Sequence, residues 1–176
     1  MGTRLLPFTK ELPKEMAPVF QSGINGIELK PLVQLIFENL YNSEIRQFCF
    51  VTGKTKRSIQ DHFHPDTGPN THKQLNYFFN MIKNSNLLWT NQLIPRGFGD
   101  AVMSSKSFVN NDDFILHAGD VSFLPKKFFS LKELCSLENS DIDAAFLVRE
   151  VHDPERHGII TSSEIDDNFF NVEKIF

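Results

Sequence analysis

The sequence predicts an α/β protein built on a mainly parallel sheet, and two observations carry that prediction. Short apolar runs rich in β-branched and aromatic residues recur at 45–52, 87–92 and 114–118, the composition of strands buried on both faces. Between them lie stretches whose apolar residues repeat at helical spacing. Strands that alternate with helices of this length imply βαβ units joined by right-handed crossovers. Ligands collect at the carboxyl ends of the strands in such sheets. The loops at Gly53, at 92–99 and at Gly119-Asp120 all open there.

In chain order, residues 17–30 carry Gly23, Asn25 and Gly26, which read as turns around a short extended piece. Leu32, Leu35, Ile36, Asn39 and Leu40 then predict a helix over 31–41, with Pro31 tolerated in its first turn. The run 45–52 is a buried strand ended by Gly53, and 56–63 form a short helix. Pro65, Gly68 and Pro69 make 64–71 a loop. Leu75, Phe78, Phe79 and Ile82 sit at i, i+3, i+4 and i+7, a clear amphipathic helix. A strand at 87–92 leads to Gly97 and Gly99, which precede a helical stretch to 108. Residues 114–118 form another buried strand, ending at Gly119-Asp120. Phe128, Leu131, Leu134 and Cys135 mark a further helix, and 144–151, 158–161 and 169–175 read as closing strands. With no internal repeat, low-complexity tract or linker, residues 1–176 read as a single domain.

Composition narrows the function. The net charge of −4 offers no basic stripe to neutralise a phosphate backbone, so nucleic acid is not an expected partner. Eighteen phenylalanines against two tyrosines and one tryptophan predict a core filled largely by phenylalanine. Cys49 and Cys135 lie in apolar contexts without Cys-x-x-Cys spacing, as reduced core residues of a cytoplasmic protein do. No apolar run reaches bilayer length, so a membrane partner is not expected either. His62 and His64, two residues apart without a nearby third ligand, read as solvated loop histidines rather than a zinc site. Lys54, Lys56 and Arg57 read as a solvated helix start.

Chemistry concentrates in three places. The chain opens Gly2-Thr3-Arg4-Leu5-Leu6-Pro7-Phe8-Thr9 and continues to Pro13-Lys14-Glu15-Met16. Glycine lets backbone approach an anion, Arg4 brings a rigid donor fork for phosphate, and Lys14 adds a compact cation. Pro7 and Pro13 stiffen the loop between those cations. Further on, Gln92 precedes Gly97-Phe98-Gly99-Asp100; its amide pairs a donor with an acceptor, which suits the edge of a base. Asp120 then closes Phe114-Ile115-Leu116-His117-Ala118-Gly119. It reads either as an oxygen ligand for Mg²⁺ or as a turn aspartate bonding its own backbone.

The ordered run Gly-Thr-Arg-x-x-Pro-x-Thr-Lys-x-x-Pro-Lys-Glu-Met resembles the signature loop of sugar-1-phosphate nucleotidyltransferases, most closely the UTP–glucose-1-phosphate uridylyltransferases. The resemblance implies a Rossmann-like three-layer fold lacking its first strand and C-terminal part. It implies transfer of a uridylyl group from UTP to glucose 1-phosphate, giving UDP-glucose and pyrophosphate. Arg4 and Lys14 would be the catalytic cations. Gly2, Thr3, Gln92 and Gly97 would bind the nucleotide, Asp120 would hold Mg²⁺, and Gly158 would meet the sugar. Phe98 stands where the family usually has leucine, Asp100 where it has histidine, and His157 where it has tyrosine. Relatives begin earlier, with a strand running into Ala-Ala-Gly, and continue through a Glu-Lys-Pro segment to a later metal-binding aspartate. The expectation is therefore a chain truncated at both ends, with little or no turnover alone. The alternatives are a thymidylyl- or cytidylyltransferase of the same family and a non-catalytic nucleotide-binding or homo-oligomer-forming remnant.

Overall fold

The structure is a computed structural model, and the residues it describes are 6–23, 26–53, 56–65, 73–122, 134, 142–165 and 169–176. The chain divides into two compact units, 1–138 and 139–176.

In the first unit, β1 (Pro18–Gly23) and β2 (Gly26–Pro31) form an antiparallel hairpin in which Phe20 faces Leu29. Gly26 adopts a φ of +114° at the turn, a conformation that favours glycine. The turns expected over 17–30 are thus a two-stranded ribbon. Helix α1 (Leu32–Asn42) follows directly, its Leu32 N–H donating to Ala17 O at 3.0 Å. Next come β3 (Gln47–Gly53), α2 (Arg57–His62), α3 (Lys73–Lys83) and β4 (Asn86–Gln92). Two short helices, α4 (Phe98–Met103) and α5 (Lys106–Val109), complete the regular elements.

β3 and β4 pair in parallel, with Phe50 beside Trp89 and Gly53 beside Gln92. Among the described residues this is the parallel sheet; β1–β2 and the pair Ile160–Glu164 with Phe170–Ile175 are antiparallel. Connection length accounts for the mixture. A short link folds a strand back on its neighbour, whereas β3 reaches β4 through two helices.

Phenylalanine fills the core, as composition predicts. Phe37 of α1 lies 4.8 Å from Phe48, 5.2 Å from Phe63 and 5.9 Å from Phe78, ring centre to ring centre. Val33, Ile36, Leu40, Ile59, Phe79, Met81 and Ile82 close around them. The buried face of α1 is Val33, Ile36, Phe37 and Leu40, with Leu35 and Asn39 only half-buried. The large Phe37 ring, rather than the smaller residues of the expected stripe, sets the helix's rotation.

α1 also buries two polar residues, Gln34 and Glu38. Glu38 accepts from Lys30 Nζ at 2.8 Å and from Gln34 Nε2 at 2.7 Å. Gln34 Oε1 faces His62 Nε2 at 2.9 Å. Because the Gln34 nitrogen is committed to Glu38, its oxygen must accept, so His62 carries its proton on Nε2. His62 is therefore not a solvated loop residue. It ends α2 and stacks on Phe78 at 5.3 Å.

Burial lowers the His62 pKa from its ordinary 6.5, against the opposing pull of Glu38. Burial moves His117 the same way, opposed by its bond to the Ala118 carbonyl. The native state thus keeps both rings neutral at pH values where the unfolded chain already takes up protons. Stability rises with pH wherever the unfolded state binds more protons. The expected outcome is a loss of stability as pH falls through and below about 6.5. Denaturant midpoints measured between about pH 8 and pH 5 read it, and His62→Gln should flatten the slope.

Two expected strands do not form. Residues 114–118 are irregular, with Phe114 and Leu116 about half exposed and Ile115 alone among the core contacts. Residues 144–151 are irregular and largely exposed. In each case apolar composition is present but no described strand supplies a ladder, and the ladder is what makes a strand. The helix expected around 128–135 lies outside the described residues except for helical Leu134, and Cys135 lies outside them too.

The second unit holds β5 (Ile160–Glu164) and β6 (Phe170–Ile175), an antiparallel pair with a bulge at Thr161/Ser162. Ile159 and Phe176 extend it by exchanging backbone bonds of 3.2 and 2.8 Å. Among the described residues, no helix is long and apolar enough to cross a membrane.

Candidate functional site

The loop before β1 is built from two single-turn helices, Phe8–Lys10 and Lys14–Met16, each preceded by a proline. Pro13 O accepts from Met16 N at 2.9 Å and Lys14 O from Ala17 N at 3.0 Å. That tight turn points Lys14 and Glu15 in toward the carboxyl ends of the parallel strands.

Lys14 forms an ion pair with Asp120. The ammonium bonded to it holds the Asp120 carboxyl below the usual carboxylate range, with Lys56 acting in the same direction and partial burial opposing both. Asp120 is thus an ionised oxygen donor at neutral pH. Beside this pair sits a second one. Glu15, 7% exposed, accepts from Lys56 Nζ at 2.5 Å. Its other oxygen, Oε2, is buried without a hydrogen-bond partner among the described residues. Gly119 lets the Gly119-Asp120 turn close onto this pair, since a Cβ there would lie 3.2 Å from Glu15 Cγ. Lys14, Glu15, Lys56 and Asp120 thus form an alternating cluster of two cations and two anions.

Lys56 connects the cluster to the sheet. Its N–H donates to Gly53 O at 3.2 Å, and Gly53 pairs with Gln92 in the β3–β4 ladder. An open depression of about 420 Å³ runs along these strand ends, lined by Thr52, Gly53, Lys56 and Asn91 among others. Thr52 Oγ1 donates to Asn91 Oδ1, its partner on the neighbouring strand, at 3.0 Å.

Gln92 ends β4, and its amide nitrogen donates to Gly97 O at 3.1 Å and to Asp100 Oδ2 at 2.7 Å. Gly97 precedes α4 with a φ of +115° and open space where a side chain would project. A larger residue there would be strained and would fill that space.

Of the residues singled out in the sequence, Lys14 and Asp120 are in direct contact. Gln92 and Gly97 lie at the same strand ends. Gly2, Thr3 and Arg4 lie outside the described residues. Gly158 belongs to the second unit, where its Cβ position is 3.8 Å from Phe176 O. Sequence reading missed Glu15, Lys56 and Asp100. Lys56 is half-buried and paired, not part of a solvated helix start. Its signal was its place three residues beyond the glycine that ends a parallel strand.

No group of three or more His, Cys, Asp or Glu able to hold a metal occurs among the described residues. Mg²⁺ binds through one or two carboxylates together with phosphate oxygens and water. Asp120, ionised and part-exposed, fits as one such donor; its carboxylate is held by Lys14 and by its own backbone N–H.

The family model described as nucleotidyl transferase matches residues 1–176, and the chain belongs to that family. Within it, the chain is 39% identical over 126 residues to a UTP–glucose-1-phosphate uridylyltransferase of Streptococcus pyogenes, covering 68% of this chain and 40% of that protein. Apo UDP-glucose pyrophosphorylase superposes with a TM-score of 0.78 at 23% identity, over 99% of this chain and 64% of the other. UDP-glucose pyrophosphorylase complexed with UDP-glucose superposes at 0.74 and 24% identity, with the same coverage. These likenesses establish the α/β nucleotidyltransferase fold. The chain spans less than two thirds of the length of these relatives.

Proposed function

We propose that this chain carries the nucleotide-binding part of a UTP–glucose-1-phosphate uridylyltransferase. In that reaction a phosphate oxygen of glucose 1-phosphate attacks the α-phosphorus of UTP, releasing pyrophosphate and forming UDP-glucose. The observation that carries the reading is the meeting of Lys14 with Asp120 at the strand ends where Gln92 and Gly97 also lie. The family membership and the S. pyogenes relative support it.

No side-chain nucleophile is required; the work is positioning and charge neutralisation. Lys14 has three donors, and Asp120 engages it without enclosing it, since the lysine side chain remains 32% exposed. A phosphate oxygen can take a second donor while the first stays on the aspartate. Arg4 would act on the triphosphate alongside it, and Gly2 and Thr3 would offer backbone N–H groups. Asp120 is the carboxylate that would hold Mg²⁺, whose chemistry there is to neutralise triphosphate charge. Gln92 and Gly97 would take the base, and Gly158 would meet the sugar.

The test is calorimetric titration of the chain with UTP in the presence of Mg²⁺, alongside an assay for UDP-glucose. UTP should bind, and Lys14→Ala should weaken it about tenfold or more, the effect of losing one charge-assisted hydrogen bond. Binding of UTP that Lys14→Ala leaves unchanged would remove Lys14 from the site. No binding of any nucleotide would sink the whole reading.

A further inference from the structure

The Gln92 amide is not free to choose which end it offers a ligand. Its –NH₂ group has two N–H bonds, and both are spent within the chain, one on Gly97 O and one on Asp100 Oδ2. The assignment of nitrogen and oxygen follows from the partners: a backbone carbonyl and a carboxylate only accept, so the group facing them must be the donor. That leaves Gln92 Oε1, for which no partner occurs among the described residues. An amide that otherwise reads a base with a donor and an acceptor here has only its acceptor left. Asp100 is what commits it. The Gly97 carbonyl occupies one N–H alone, so without the carboxylate the second N–H would be released and the amide could offer a ligand a donor as well as its acceptor.

We propose that Asp100 is a specificity-positioning residue: by holding the nitrogen of Gln92 it leaves only the amide oxygen for the base, and so selects a pyrimidine with hydrogen on N3, uracil or thymine, over cytosine. The inference rests on the reading of Gln92 as a base-binding residue and adds to it the origin of base choice. Uracil and thymine present an imide N3–H, which donates to Oε1. Cytosine in the same pose presents a bare N3 lone pair, so two acceptors would face each other. A site whose polar group is left unpaired by the wrong ligand discriminates strongly. Asp100 therefore has a defined task at the position where the family usually carries histidine, and it acts through Gln92 without touching substrate.

The experiment compares UTP with CTP, which differ only in the base, so that ribose and phosphate contacts cancel in the ratio. Affinities are measured calorimetrically with Mg²⁺ for the full chain and for Asp100→Ala, Asp100→Ser and Asp100→Asn, each first shown to melt cooperatively. The full chain should favour UTP by roughly ten- to a hundred-fold, the cost of one mismatched polar contact. Asp100→Ala and Asp100→Ser should shrink that ratio to about threefold or less, partly by improving CTP binding, because the released N–H of Gln92 can donate to the bare N3 of cytosine. Asp100→Asn should keep most of the preference, since its side-chain oxygen still accepts from Gln92. A role confined to folding would weaken both nucleotides equally and leave the ratio alone. An unchanged ratio in both Asp100→Ala and Asp100→Ser overturns the inference while the nucleotide site stands. So does a full chain that binds CTP as well as UTP, or a ratio lost equally in Asp100→Asn. A full chain that binds neither nucleotide overturns the reading of Gln92 and the inference with it.

Discussion

Phe78→Ala should cost about 3–5 kcal/mol of folding stability, the upper range for truncating a buried aromatic. Phe78 is fully buried, at 0% exposure, and is where three helices meet. Its ring packs edge-on against Phe37 of α1 at 5.9 Å and Phe63 at 5.3 Å, tilts against Phe79 of its own helix at 5.9 Å, and stacks on His62 of α2 at 5.3 Å. Two things place the cost high. The neighbours are rigid rings fixed by one another, so they collapse poorly into the space and the cavity penalty is paid nearly in full. Each ring contact also carries about 0.5–1.5 kcal/mol beyond the area it buries. Phe78→Leu, which keeps most of the volume, should lose less than about 2 kcal/mol. Chemical denaturation of both variants checks this. A Phe78→Ala midpoint within about 1 kcal/mol of the parent would mean the rings are not a single packed unit.

That aromatic hub was legible because its signal is local. The i, i+3, i+4, i+7 spacing of Leu75, Phe78, Phe79 and Ile82 fixes a helical face whatever lies opposite, and three of those four residues are buried. β3 and β4 were legible for a similar reason: each is a short apolar run closed by a turn or polar residue, and each falls within two residues of its expected bounds. The runs at 114–118 and 144–151 look the same in composition but are irregular. Their difference lies in whether another backbone stands alongside, which residue type does not encode. Over 18–31 Gly23, Asn25 and Gly26 announce the turn, and the alternation Ile27-Glu28-Leu29-Lys30 is inverted in the structure: Phe20 and Ile27 are about 80% exposed while Glu28 and Lys30 are part-buried.

A family motif names Lys14, Gln92, Gly97 and Asp120 in the sequence, and the structure adds that Lys14 pairs with Asp120 and that Gln92 bonds Gly97. The site was not legible where a residue's role depends on what faces it. Asp100 looked like a departure from the family pattern; its bond to Gln92 needs α4 to begin at Phe98 so that the carboxylate turns back to the end of β4. Glu15 and Lys56 are 41 residues apart in sequence. Nothing in either neighbourhood announces the other.

The same pair sets the second large expectation, that Lys56→Met destabilises the chain more than removal of both partners. Lys56→Met would leave Glu15 with neither oxygen paired, because Oε2 already lacks a hydrogen-bond partner among the described residues and Oε1 depends on Lys56. Stranding a buried charge costs about 3–5 kcal/mol. Lys56 keeps 32% of its side chain exposed, so water can reach the position, and about 2–3 kcal/mol is the expected loss here. In the double variant Glu15→Gln/Lys56→Met no charge is stranded. It should lie within about 1 kcal/mol of the parent, and so about 1–3 kcal/mol above Lys56→Met. Since Glu15 follows Lys14 in one tight turn, Lys56→Met should also loosen Lys14 from Asp120 and, under the proposed function, weaken UTP binding. Equal denaturation midpoints for the single and double variants would show that the Lys56–Glu15 bond does not hold the loop in place.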